Sequence, residues 1–280
     1  MTIKVTLPLR VRSCIAGLLL VVALPASAYD YRFVESPGAR IAYTDYGAGV
    51  PVILLHGLSG DYERGLGKLG DALSSEFRVI GIDQRGHGRS GKPHELSAYG
   101  QPMADDVLRV MEQLHIQKAH VVGHSMGGVV ALHLAATHPD RFYSAVTVGN
   151  GLFTHGELSL IGWLIKGQFA WWQLKEFVGT GNGELSGVTD REAPVLAARA
   201  LNALSITEQQ AAAMKVPLLA MRGGPKDDPR DTVERLAAVN PAVKMIRVES
   251  EDHVSMLSCA AFLSAVREFL EKNSPPSAAR

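Results

Sequence analysis

Short apolar runs recur along the chain, each about the length of one strand. Pro51–Leu55, Val79–Ile82, Ala119–Val122, Phe142–Val148, Val216–Met221 and Val243–Val248 are four to seven residues long. Runs of that length predict strands buried on both faces. Two earlier segments, Tyr31–Glu35 and Arg40–Asp45, flank Pro37-Gly38 and predict a hairpin. Between the runs the period lengthens to that of a helix. Met103, Val107, Val110, Met111 and Leu114 fall on one face of Met103–Leu114. Val129–Ala136 stops before His138-Pro139, and Thr232–Val239 stops before Pro241. Ala261–Leu270 turns Phe262, Leu263, Val266, Phe269 and Leu270 inward. Alternating strands and helices predict an α/β fold: a mostly parallel sheet with helices on both faces. Such sheets bind their ligands in loops at the carboxyl ends of the strands.

One stretch breaks the alternation. Asn150 to about Leu204 shows no clear strand. It holds Trp163, Trp171 and Trp172, and Gly179, Gly181 and Gly183 in close succession. It reads as a helical insertion over the carboxyl edge of the sheet, between core segments 29–149 and 205–272. Lys166, Gln168, Gln173 and Lys175 interrupt it too often for a membrane span. Residues 273–280 read as a disordered tail.

The first 28 residues read as a leader. Lys4, Arg10 and Arg12 form a basic start, Cys14–Leu24 an apolar centre, and Ala26-Ser27-Ala28 a small-residue cleavage site. That order predicts a secretory signal, a periplasmic or secreted protein, and no stable membrane anchor after cleavage. Removing it leaves one cysteine, Cys259, so no internal disulfide can form. Cys259 sits in the stretch Val254–Leu270, which reads as helical, and is expected to be a buried structural thiol.

Composition narrows the function class. The 280 residues carry 28 basic and 28 acidic side chains, and 46% of the chain is apolar. The chain is globular, and it lacks the basic footprint of a nucleic-acid binder. No motif indicates a metal or other cofactor.

The candidate chemistry begins at Gly123-His124-Ser125-Met126-Gly127, a Gly-x-Ser-x-Gly run between a strand and a helix. There the nucleophile sits on a tight, strained turn, and the two glycines let strand and helix approach closely. The helix N-terminus points at the oxyanion that develops during reaction. A serine hydroxyl needs a base. His253 follows the last strand and is the best placed of the histidines. The base needs a carboxylate to fix its tautomer. Asp227 and Asp228 follow the strand Val216–Met221. Asp227 is preferred, with Asp228 as the alternative and as a helix-capping residue otherwise. Two amides can form the oxyanion hole: Met126, after the nucleophile, and Leu58, in the loop His56-Gly57-Leu58. His56, Gly57, His124 and the three tryptophans are expected to line the substrate pocket.

With these residues in place, the chain resembles the α/β-hydrolase superfamily in its cap-bearing, esterase-like branch. The matching stretches are His56–Gly60, Asp83–Ser90, Gly123–Gly128, Gly224–Asp227 and Asp252-His253. The resemblance implies that Asp83–Ser90 is a structural loop, so Asp83, Arg85 and His87 have no catalytic role. It also implies that Asn150–Leu204 is the cap. Haloalkane dehalogenase and epoxide hydrolase relatives use an aspartate nucleophile, so Ser125 argues against both.

These features predict cleavage of a carboxylic ester, or a related acyl bond, of a small, apolar molecule. Thioester, lactone or carbon–carbon cleavage and acyl transfer use the same three residues. A ligand-binding protein with vestigial hydrolysis is the alternative from another class.

Overall fold

The computed structural model describes residues 28–153, 157, 190, 192–224, 227 and 231–276. The leader up to Ser27, the three tryptophans, Asp228 and most of the expected cap lie outside these residues. Eight strands form one sheet: β1 (Tyr31–Ser36), β2 (Ala39–Gly47), β3 (Val50–Leu55), β4 (Phe77–Asp83), β5 (Ala119–His124), β6 (Phe142–Val148), β7 (Leu218–Arg222) and β8 (Lys244–Arg247). Their order is β1-β2-β4-β3-β5-β6-β7-β8. β2 runs antiparallel to both β1 and β4, and every pairing from β4 to β8 is parallel. The helices are α1 (Tyr62–Gly65), α2 (Gly67–Leu73), α3 (Gln101–Gln113), α4 (Met126–Thr137), α5 (Glu192–Ala200), α6 (Glu208–Ala213), α7 (Thr232–Val239) and α8 (Ala260–Lys272).

The period-2 geometry of the strands builds two cores. Ile53, Leu55, Ile80, Ile82, Val121, Ala145 and Ala220 face the side covered by α3, α4, α5 and α7. Val52, Leu54, Val79, Val122, Val146, Leu219 and Met221 face the side of α1, α2 and α8. Both faces are covered, which is why the central strands read as unbroken apolar runs.

β4 lies on one side of β3 and β5 on the other. The strand order therefore reverses at β3, and a crevice opens outside the carboxyl ends of β3 and β5. The loops carrying His56-Gly57-Leu58 and Ser125 leave from those two ends.

Two expectations need correction, and two helices were not foreseen. Cys259 is not buried within a helix. Residues Ser255–Ser258 form a 3-10 turn, and Cys259 is the half-buried cap of α8, its sulfur accepting from the Phe262 amide at 3.4 Å. The tail does not loosen at Asn273, whose amide donates to the Leu270 carbonyl at 3.1 Å. Ser274 Oγ donates to that same carbonyl at 2.9 Å and meets His120 Nε2 at 3.0 Å. Finally, α1 and α2 have no counterpart in the apolar pattern. Both are short, and Gly65, Gly67 and Gly70 break the helical period.

Candidate active site

Every residue from Ala119 to Ala135 is buried except Ser125, which is partly exposed. It stands between the end of β5 and the start of α4, with φ 50° and ψ −115°. A non-glycine residue there carries roughly 1–3 kcal/mol of strain and persists only if its neighbours hold it. They do. The Ser125 amide donates to the Val148 carbonyl at 2.8 Å. The Ser125 carbonyl accepts from Gly128 at 2.9 Å, from Val129 at 3.1 Å and from Asn150 Nδ2 at 2.5 Å. The turn also needs its glycines. A Cβ on Gly123 would strike the backbone of Gly127 and Gly128, and one on Gly127 would strike the carbonyls of Leu55 and His56.

The loop after β3 passes beside this turn. A Cβ on Gly57 would lie 3.4 Å from the Ser125 Cβ. Among the described residues, neither the Leu58 amide nor the Met126 amide donates a hydrogen bond. For Met126 this follows from its position, because the first amides of a helix have no acceptor within it.

His253 and Asp227 come together from two further loops. His253 Nδ1 lies 2.5 Å from Asp227 Oδ1. A carboxylate only accepts, so Nδ1 carries the proton and the lone pair of the neutral ring sits on Nε2. Asp227 Oδ2 accepts from the Gly223 amide at 2.5 Å, and the carboxylate is fully shielded from solvent. The Gly149 backbone lies flat against the imidazole: a Cβ there would be 2.7 Å from His253 Nδ1.

His124 braces the same histidine. Its Nε2 donates to the His253 carbonyl at 2.9 Å, and the two ring centroids are 4.6 Å apart. Burial, then the charge of a protonated His253, push its pKa well below the ordinary value. It is therefore neutral at neutral pH.

His56, expected in the pocket, is held within the backbone of two loops. It is wholly buried, and both ring nitrogens are engaged. Nε2 accepts from the Gln84 amide at 3.0 Å, and Nδ1 donates to the Gly57 carbonyl at 2.7 Å. Gln84 Nε2 donates to the His56 carbonyl at 2.6 Å. His56 thus joins the loop after β3 to the loop after β4, and burial lowers its pKa.

Asn150 was read only as the start of an insertion. It holds the Ser125 carbonyl, and Thr147 Oγ1 donates to its backbone carbonyl at 2.9 Å. The available signal was a polar residue between Gly149 and Gly151 at the carboxyl end of a strand.

A family model described as the alpha/beta hydrolase fold matches residues 50–174. The enol-lactonase of Burkholderia xenovorans superposes with a TM-score of 0.73 at 24% identity, covering 86% of this chain and all (100%) of that one. The chain has the α/β-hydrolase fold. Two curated relatives share part of this hydrolase sequence. The acetyltransferase component of an acetoin-cleaving system in Cupriavidus necator is 39% identical over 123 residues, which are 44% of this chain and 32% of that one. A putative carbamate hydrolase of a Caulobacter species is 46% identical over 81 residues, 28% of this chain and 29% of its own. The chain thus spans about a third of the length of these relatives.

Proposed function

We propose that this α/β-hydrolase cleaves carboxylic esters of small, apolar molecules through an acyl-enzyme on Ser125. The contact between His253 Nδ1 and Asp227 Oδ1 carries the reading, because it leaves Nε2 as the basic nitrogen. His253 Nε2 takes the Ser125 proton as Oγ attacks the acyl carbon. The carbonyl oxygen becomes an oxyanion held by the Leu58 and Met126 amides, worth roughly 3–4 kcal/mol each in a dry site. The imidazolium then protonates the departing alcohol. Water, deprotonated by the same nitrogen, releases the acid and restores the serine.

The acid is Asp227 in this reading. Its carboxylate has one oxygen on His253 and one on the Gly223 amide. On their place in the sequence alone, we assign Trp163, Trp171 and Trp172 to binding of the apolar substrate. We assign the protein to the periplasm or the exterior, on the pattern of its first 28 residues, with the mature chain beginning at Tyr29.

Chromogenic esters of graded chain length test the reaction. Wild-type protein should turn them over and react with a fluorophosphonate probe at Ser125, and Ser125→Ala should do neither. Equal rates for the two proteins would sink the mechanism, and no adduct on Ser125 would favour a binding protein. N-terminal sequencing of exported protein should begin at Tyr29, and an uncleaved leader overturns that assignment.

A further inference from the structure

The residue before the acid loop is an arginine almost closed off from solvent. Arg222 ends β7 and is 4% exposed. A buried guanidinium must be paired and hydrogen-bonded to be tolerated. Arg222 Nε donates to Glu234 Oε1 at 2.6 Å, and Nη2 lies 3.9 Å from Asp231 Oδ1. Its Nη1 points elsewhere, to the Gly224 carbonyl at 3.1 Å.

Gly224 is where the two catalytic loops meet. Its carbonyl also accepts from the Asp227 amide at 3.0 Å, closing the turn that presents the carboxylate. Its amide donates to the Glu251 carbonyl at 2.8 Å, two residues before His253. One residue thus ties the acid loop to the histidine loop, and Arg222 grips its carbonyl. The grip is itself anchored. Glu234 Oε1 also takes Arg247 Nη2, from the end of β8. The Val248 amide donates to the Arg222 carbonyl at 2.9 Å. Burial alone would raise the Glu234 pKa, but the two guanidiniums outweigh it and hold the carboxyl below its ordinary range.

We propose that Arg222 is a positioning residue for catalysis, setting the Asp227–His253 contact through the Gly224 carbonyl. A charge-assisted bond of 2.5 Å tolerates little displacement. A shift well under an ångström in the acid loop therefore reaches the tautomer and basicity of His253 before it reaches the pocket. A brace serving stability alone would leave that contact, and the rate per correctly folded site, unchanged.

The inference rests on the catalytic reading above, so its test includes an arm that needs no turnover. The strongly deshielded Nδ1 proton of His253 is read by NMR without substrate, assigned by its loss in His253→Asn. Arg222→Gln should weaken that resonance or move it upfield. Its kcat per fluorophosphonate-titrated site should fall about 10- to 100-fold, with KM within about twofold. Arg222→Lys keeps the charge but cannot reach Glu234 and Gly224 together. It should fall between Gln and wild type in both readouts, and it decides the matter if the Gln variant does not fold. Wild-type resonance and rate per site in either folded variant would overturn the proposal. Failure of the wild-type protein to turn over esters or label at Ser125 would instead overturn the catalytic reading, leaving the resonance to report on Arg222.

Discussion

Two neighbouring regions of this molecule hold the same three residue types and differ in what those residues have left to offer. Around the end of β4 stand Asp83, His56 and Ser90. Around the ends of β5, β7 and β8 stand Asp227, His253 and Ser125. In the first group every polar atom is used to hold the backbone. Asp83 Oδ1 accepts from the Tyr62 amide and Oδ2 from the Arg89 amide, both at 2.8 Å. Ser90 Oγ accepts from the Ala42 amide at 2.8 Å and donates to the Asp83 carbonyl at 2.5 Å. His56 has both nitrogens engaged with the chain. In the second group Asp227 holds one backbone amide and the His253 imidazole, and Ser125 alone breaks an otherwise buried run. Side chains bonded to one another at the strand ends, rather than to the backbone alone, separate a reactive site from a scaffold more than residue type does.

The largest test of that contrast is to remove the hydroxyl from each group. Ser125→Ala should lower ester turnover by at least about 10⁴-fold with little change in stability. Ser90→Ala should leave the rate per labelled site unchanged but destabilise the fold by about 1–3 kcal/mol, since the buried Ala42 amide loses its acceptor. Urea titration and kinetics on both proteins decide it, and a rate loss confined to Ser90→Ala would invert the assignment. The carboxylates give the next largest effect. Asp227→Asn should cut kcat by about 10³- to 10⁴-fold, while Asp228→Asn stays within about threefold. The reverse ranking would make Asp228 the acid.

Much of this contrast was legible in the sequence. Strands buried on both faces give continuous apolar runs, so β3 to β7 could be read within a few residues of their ends, while β1 and β2 read as a hairpin and β8, largely exposed, lies within the run Val243–Val248. The reactive turn was legible because its geometry demands two glycines around a serine. What the sequence conceals is which partner each polar group meets. His56 and Gly57 adjoin in the chain, yet one is a buried brace and the other flanks the nucleophile. Asn150 and Arg222 act through carbonyls brought near them by folding, at Ser125 and Gly224. No local pattern encodes such a meeting. The short helices α1 and α2 escaped for a different reason. Gly70 is kept where a Cβ would strike the hydroxyls of Tyr62 and Tyr46, so packing overrides helical period.

The histidines extend the contrast to pH. His253 must exchange its proton to act, whereas the braces must stay neutral. His120 shows the cost. Ser274 Oγ spends its proton on the Leu270 carbonyl, so it accepts from His120 Nε2, and Nδ1 accepts from Ser144 Oγ at 2.8 Å. Burial pushes the pKa of His120 down to about 4 from its ordinary 6.5. Between those values the unfolded chain binds the proton and the folded chain does not. The stability present above pH 6.5 therefore declines as the pH falls toward about 4, by about 3 kcal/mol for this group. His87, pushed down to about 3 by burial, acts in the same direction. Denaturant titrations at about pH 7 and about pH 4.5 should show the loss, and His120→Asn should reduce it. An equal loss in the variant would assign it to the other buried histidines.

The smallest expected effect tests how the reactive turn is kept strained. Three groups hold the Ser125 carbonyl: the Gly128 and Val129 amides, which come with the helix, and Asn150 Nδ2, which does not. If the helix alone sufficed, Asn150 would be dispensable. The φ of 50° at Ser125 argues otherwise, because a residue held there by one element can relax by unwinding the first turn of α4. Asn150 arrives from the end of β6, on the far side of the turn, and opposes that motion. Asn150→Ala should therefore cost about 1–2 kcal/mol of stability and lower kcat about tenfold, with fluorophosphonate labelling slowed to match. A stability loss with an unchanged labelling rate would show that α4 fixes the serine unaided, and that Asn150 belongs with Ser90 among the residues that only hold the fold.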